Sequence, residues 1–290
     1  MANSIELVKK YVDKLDDVYR FASLTDVLES DAAAVRQGTN TNEIVIPKID
    51  MDGLADYSRS GGYVDGDDRL TWETMKFDYD RGRSFSVDAM DDEETIGISF
   101  GMLSSRFVHN KVVPEMDAYR FAKYAGKSGI TVKSETLADG DAVCHAITEA
   151  NNVLDEAEVD AENRILFITP SLHNAVIALD TYKSKAMLES FSTVVKVPQT
   201  RFYTAIDLLD GRTSGEEIGG YKKSVAGKNI NFMIIDKSAV LQFTKHVVNK
   251  VIAPEDNQSA DAWKFFYRAY GLTDVYENKV KGIYCSHSAN

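Results

Sequence analysis

The stretch MDGLADYSRSGGYVDGDDR, residues 51–69, decides how the rest of the chain is read. Gly53, Gly61, Gly62 and Gly66 are interleaved with Asp52, Asp56, Asp65, Asp67 and Asp68, and apolar residues are only scattered among them. Such a segment has too little apolar surface to offset the entropy of ordering it against itself. Immediately after it, residues 70–79 carry Trp72 and then Met75, Phe77 and Tyr79 at period two, and the strand pattern resumes at Ser84–Val87 after Asp80–Arg83. The pattern predicts a long projecting β-hairpin. A polar loop of that size inside a compact domain is anomalous unless it packs on something else, and the economical partner is a neighbouring copy of the same chain.

Working outward, Ile44, Ile46 and Ile49 read as a short extended segment around Pro47, following a polar break at Thr39–Asn42. Further upstream, Ile5, Val8, Val12, Leu15 and Tyr19 recur at three- and four-residue steps behind an Asn3/Glu6 capping box, predicting an amphipathic N-terminal helix. Downstream, Asp91, Asp92, Glu93 and Glu94 suit the positive end of a helix that Ile96, Phe100, Leu103 and Phe107 continue along one stripe. Pro114 interrupts this pattern, and Glu115–Tyr124 restarts it with Met116, Tyr119 and Tyr124 inward, so one long, bent helix is expected. From Ile130 the chain becomes mixed α/β. Ile130 and Val132 suggest strand, 141–156 helix, 164–169 a buried strand, 171–184 helix, 211–227 a loop, 230–235 strand and 239–242 a short helical turn. The aromatic-rich tail, 263–284, reads as strands joined near Gly271, with Trp263 as a core ring.

Composition narrows the function classes. A chain of 290 residues that is 44% apolar and 10% aromatic packs as an ordinary globular protein, and its formal net charge of −12 repels polyanions at long range. Glu6, Lys9 and Lys10 break the apolar run a secretory signal needs, and no run approaches the roughly 20 apolar residues of a membrane span, so a cytoplasmic, membrane-free setting is expected. Cys144 and Cys285 make neither a disulfide framework nor a zinc site, and His109, His145, His173, His246 and His287 lack ligand spacing. In Gly215–Lys222 the lysine does not follow the final glycine as in a phosphate loop, and Asp50, Asp52 and Gly53 lack the rest of a calcium loop. No Gly-x-Ser-x-Gly elbow is present. No cofactor, metal or catalytic residue is expected. Asp80, Arg81, Arg83, Asp88 and Asp91 have the spacing of a charge cluster pairing along a strand-to-helix junction.

Three segments taken together resemble a known family: Asp80–Asp88 with Met90, Asp91 and Glu94; Val113–Arg120; and a tail with Ala260–Lys264, Tyr267, Arg268, Tyr270, Val275, Tyr276, Asn278, Lys279 and Gly282–Tyr284. They resemble the major capsid proteins of tailed bacteriophages, which share the Hong Kong 97 capsid fold. The resemblance implies an α+β architecture with an N-terminal arm (1–42), an extended loop (43–90), a spine helix with the first part of a peripheral domain (91–137), an axial domain (138–251) and returning peripheral strands (252–290). Residues 130–137 would pair with the returning strands.

The function so implied is a virion shell assembled in a bacterial cytoplasm through hexamers and pentamers. It would enclose double-stranded DNA without reading its sequence, with a portal at one vertex. Inter-subunit contacts are expected at Tyr57, Arg59, Tyr63, Asp67, Arg69 and Trp72 of the loop and at Val8, Tyr11 and Tyr19 of the arm. Some members weld subunits through a lysine on the extended loop, but no lysine lies between Lys48 and Lys76, so noncovalent burial is expected to carry stability. Because the arm helix begins near Met1, a separate scaffolding protein is expected. A nanocompartment shell enclosing an enzyme, and an α/β enzyme with an unrecognised site, are the alternatives.

Overall fold

The computed structural model of the chain describes residues 23–30, 43–90 and 106–289. The expected N-terminal helix with Val8, Tyr11 and Tyr19, and the acidic start Asp91–Glu94 with Ile96, Phe100 and Leu103, lie outside the described residues.

The hairpin consists of β1 (Glu43–Met51) and β2 (Asp68–Lys76), paired antiparallel from Glu43 opposite Lys76 to Met51 opposite Asp68. After a two-residue step the chain enters β3 (Tyr79–Asp88), which pairs with β11 (Ala262–Val275); β11 in turn pairs with β10 (Val240–Ile252). A second, five-stranded sheet has the order β4 (Thr131–Ser134), β12 (Ile283–His287), β9 (Ile230–Asp236), β5 (Arg164–Ile168), β6 (Thr193–Lys196). β7 (Ile206–Leu209) and β8 (Gly220–Lys223) form a separate small ribbon, with Ile206 and Leu208 packed against the core that holds Phe265 and Tyr267.

Helix α1 (Val113–Gly126), entered through a π-helical turn at Val108–Val112, joins the two sheets. Val108, Val112, Val113, Met116 and Tyr119 pack on Phe265, Tyr267 and Ala269 of the three-stranded sheet. One turn on, Phe121 and Tyr124 pack against Phe167, Met233, Ile283 and Cys285 of the other sheet. The opposite face of that sheet is covered by α2 (Gly140–Glu156), α3 (Pro170–Ala178) and α4 (Tyr182–Glu189), through Val143, Ile147, Leu154 and Val176 against Leu166, Ile168 and Phe232. Covered on both faces, β5 is buried at every position, which is why it reads as an unbroken apolar run. The N-cap Asp139 of α2 accepts the amide of Ala142 at 2.8 Å.

Several expectations are corrected. Asp80–Arg83 is not a break between hairpin strands but the first half of β3, in register with Arg268–Tyr270 of β11 at Gly82–Asp80. Pro114 does not restart the helix; it follows a π-helical turn at Val108–Val112, and the helix runs on through it into α1. The single helix expected at 171–184 is two, separated at Asp180 with φ 44°. The loop at 211–227 contains β8. Residues 240–242 open the 13-residue β10 instead of forming a helical turn. Gly271 lies inside β11, and the tail strands are joined by a 3₁₀ segment at Glu277–Gly282. Trp263 is only partly buried. Residues 131–134 pair with β12 alone among the tail strands and belong to the sheet of β5, β6 and β9, while β10 pairs with β11.

Candidate functional site

The two faces of the β1–β2 hairpin differ in what they touch. Ile44 and Met75, opposite each other in the register, are buried against Leu241 and Leu272, with Ile46 packed beside them. On that same face Lys48 pairs with Glu277 at 3.2 Å, and Glu73 accepts the Glu277 amide at 3.2 Å. Burial raises the Glu73 carboxyl above its ordinary value, the amide bond opposing it. This face anchors the base of the hairpin to its own subunit. Alternation of side chains puts Pro47, Ile49, Met51, Leu70 and Trp72 on the other face, where Pro47 opposes Trp72 and Ile49 opposes Leu70. Ile49 is 61% exposed and Trp72 54%. An apolar ribbon therefore points away from the core that Ile44 and Met75 join, and it is exposed among the described residues.

The tip is shaped by its own backbone. Ser58 and Gly62 exchange amide-to-carbonyl bonds of 3.2 and 2.8 Å, the Ser58 hydroxyl accepts the amides of Ser60 and Gly61, and Gly62 takes φ +78°. Asp52 and Asp67 close the neck through Asp52 N to Asp67 O at 3.1 Å and Asp67 N to Asp52 Oδ2 at 3.0 Å. The Tyr57 and Tyr63 rings lie 4.9 Å apart, and Tyr63 remains 88% exposed. Asp67 and Arg69 pair at 3.5 Å, and Arg59 is exposed. The residues named from sequence as loop contacts thus lie together on one exposed arm.

The described members of the expected charge cluster, Asp80, Arg81, Arg83 and Asp88, each take a partner outside that set. Asp80 is held by Arg268 across the strand at 2.6 Å, a bond that lowers its carboxyl value. Arg81 reaches Glu115 of α1 at 2.7 Å and donates to the carbonyls of Leu209 and Gly220 at 2.8 and 3.2 Å. Burial opposes the Arg81 charge, but Glu115 more than compensates and raises its value. Arg83 donates to the Glu217 carbonyl at 2.9 Å, and Asp88 accepts the Met90 amide at 3.0 Å; Asp91 lies outside the described residues. Alternation along β3 sends these neighbours to different elements, so their closeness in sequence is misleading.

Sequence reasoning missed the buried carboxylate of Asp117. It has no solvent exposure and accepts from Ser23 Oγ (3.0 Å), the Leu24 amide (3.1 Å), Thr25 Oγ1 (2.9 Å) and Arg201 (3.2 Å). Arg120 donates to Thr25 Oγ1 at 2.8 Å, and Gln242 donates to the Thr25 carbonyl at 3.0 Å. The network ties residues 23–30 to α1. Its signal was present: Asp117 and Arg120 fall among Val113, Met116, Phe121 and Tyr124, the inward residues of the helix. Among the described residues no group of three or more His, Cys, Asp or Glu is placed to hold a metal ion, and no helix is long and apolar enough to cross a membrane.

No family model and no curated relative matches the sequence. Solved structures do match its shape. The virus-like particle from Pyrococcus furiosus superposes with TM-score 0.60 at 12% identity, covering 97% of this chain and 99% of that one. Gordonia phage Cozz gives 0.59 at 13% identity over 92% and 87%, and the capsid of cyanophage P-SCSP1u 0.57 at 12% over 91% and 87%. The chain has the Hong Kong 97-like capsid fold. Within that fold the projecting hairpin and a helix through Glu115–Tyr124 are the features anticipated from sequence.

Proposed function

We propose that the chain is the major capsid protein of a tailed phage or prophage. It assembles through hexamers and pentamers into an icosahedral shell around packaged double-stranded DNA. The observation that carries this reading is the apolar ribbon Pro47, Ile49, Met51, Leu70 and Trp72, aimed away from its own core in a chain with the capsid fold. Self-association by repeated heterologous contacts buries such a ribbon in every copy and closes into rings. On this reading the function is mechanical and no residue is catalytic. Residues 1–42 serve as the arm, the hairpin as the extended loop, and a separate scaffold and a portal complete assembly in the host cytoplasm. Coexpression of the chain with its genomic neighbours, followed by negative-stain microscopy, is expected to show closed particles; soluble monomer under every assembly condition would refute the proposal.

A second reading is a shell around protein cargo in place of a genome; the match to the Pyrococcus furiosus virus-like particle over nearly all of both chains fits a closed particle with either content. The ratio of absorbance at 260 and 280 nm in purified particles separates the two.

A further inference from the structure

Between β3, the π-helical turn leading into α1, and the β7–β8 ribbon lies an open groove of about 1340 Å³. That exceeds the roughly 300 to 1,000 Å³ of a site for one small molecule and suits a stretch of polymer. Three elements line it, and each supplies an aromatic ring with a cation beside it in sequence. They are Arg83 and Phe85 from β3, Arg106 and Phe107 from the helix entrance, and Tyr221 with Lys222 and Lys223 from the ribbon. Phe85, Phe107 and Tyr221 are half-buried, so part of each ring stays on the groove. Burial pushes the Tyr221 hydroxyl up to about 12, so that ring adds no negative charge to the wall.

The charge of the lining is one-sided. Its carboxylates, Glu115 and Asp210, are engaged: Glu115 by Arg81, and Asp210 by the amides of Arg212 and Thr213 at 2.7 and 2.8 Å. Lys222 pairs with Glu216 at 3.6 Å. Arg83 donates only to the Glu217 carbonyl, at 2.9 Å, and the ribbon closes on its guanidinium, which a Cβ at Gly211 or Gly219 would meet at 2.7 or 3.1 Å. Lys223 donates to the Asn229 amide oxygen at 3.0 Å and lies over the Tyr203 ring. Arg83, Arg106, Lys111 and Lys223 are exposed and have no ion pair among the described residues. In a chain of net charge −12 this is a concentrated positive site.

We infer that the groove binds single-stranded nucleic acid, taking phosphates on its cations and unpaired bases on its rings. Interleaved charge and flat apolar surface is the pattern such a strand presents, and stacking of this kind is tolerant of sequence. A duplex keeps its base faces inside its own stack, so it would meet the cations and leave the rings unused. An acidic peptide would satisfy the cations and leave the interleaving unexplained. The inference goes beyond a shell role and requires no second copy of the chain.

The test is fluorescence anisotropy of a short labelled oligothymidylate titrated with the unassembled, full-length chain, so its outcome is separate from whether the chain builds shells. Binding is expected with a dissociation constant of about 1 to 100 µM. With a salt slope of roughly −0.7 per neutralised phosphate and four cations engaged, an about threefold rise in salt is expected to weaken it about twentyfold. Arg106→Glu with Lys111→Glu, both at exposed positions, is expected to weaken it at least about tenfold with the melting temperature unchanged. Tyr221→Leu is expected to weaken oligothymidylate about tenfold but to leave inorganic polyphosphate, which carries charge and no base, within about twofold, whereas Tyr221→Phe keeps the ring and binds as wild type does. A duplex of the same sequence, compared on the wild-type chain, tests the stacking without any variant and is expected to bind more weakly. No binding, or binding that the charge reversal leaves unchanged, would overturn the inference. Duplex bound as tightly would also overturn it, reducing the groove to a contact for phosphates alone, and polyglutamate bound as tightly would reassign it to an acidic protein segment.

Discussion

Removing the Asp117 carboxylate leaves the Ser23 and Thr25 hydroxyls, the Leu24 amide and Arg201 without their shared acceptor. Breaking a buried charged pair on one side costs ~3 to 5 kcal/mol, so Asp117→Ala is expected to lower the denaturation midpoint accordingly and to free residues 23–30 to amide exchange. An unchanged midpoint would show that the network does not clamp that segment. Burial sets cysteine chemistry in the same way. It pushes the Cys285 thiol up to about 12 and raises the Cys144 thiol less, with the Asp141 charge adding to the latter. Since the thiolate is the nucleophile, iodoacetamide at mild alkaline pH is expected to modify Cys144 while Cys285 reacts only after unfolding, as read by peptide mass spectrometry. Equal rates would contradict the burial of β12. The exposed Asp210 carboxylate is held down to about 2 by the amides of Thr213 and Arg212 and the Thr213 hydroxyl. Its folded value lies below the ordinary one, so its contribution to the ribbon turn is complete above pH 4 and is lost as pH falls toward 2. The Arg212 and Thr213 amide resonances are expected to titrate near 2; a midpoint near the ordinary aspartate value would show the turn to be absent.

For the hairpin, the base and the tip have separate roles. Ile44 and Met75 belong to the subunit core, whereas Gly53–Gly66 touch little besides themselves. Replacing residues 53–66 by a two-residue Asn-Gly turn is expected to leave the melting temperature of the free subunit nearly unchanged and to abolish stable particles. Subunit unfolding, or normal particles, would contradict the division. How much of this was legible depends on each element's surroundings. β5 announced itself because both of its faces are covered, and α2 because its inward stripe meets one sheet face. β10 was hidden: Thr244, Lys245, His246, Asn249 and Lys250 interrupt its apolar positions, and a bulge between Thr244 and His246 shifts the alternation at the edge of its sheet. The split at Asp180 was equally hidden, because a positive φ in a non-glycine residue has no dependable sequence signature. At the candidate site, exposure of Tyr63 and Trp72 followed from a polar segment that cannot collapse. The partners of Asp80 and Arg81 did not follow, because they arrive from β11 and α1, far away in sequence.

Among the described residues, α1 joins two sheets into one body while the hairpin leaves it, with Ile49, Met51, Leu70 and Trp72 of its outward face exposed. On the proposed function, self-assembly resolves that asymmetry: the body folds by its own cores, and the arm gains its packing from the next copy. With no lysine between Lys48 and Lys76, the hairpin has no primary amine along that stretch for a covalent weld, so the proposed contact is one that buried apolar area holds. Trp72 reports on this directly, because the only other tryptophan is Trp263, which Trp263→Phe removes from the signal. The central claim is that the outward hairpin face becomes buried against a neighbouring copy. The emission of Trp72 is therefore expected to shift to shorter wavelength, and its quenching by iodide to fall severalfold, when subunits form particles. Particles in which Trp72 emits and quenches as it does in the free subunit would contradict the account.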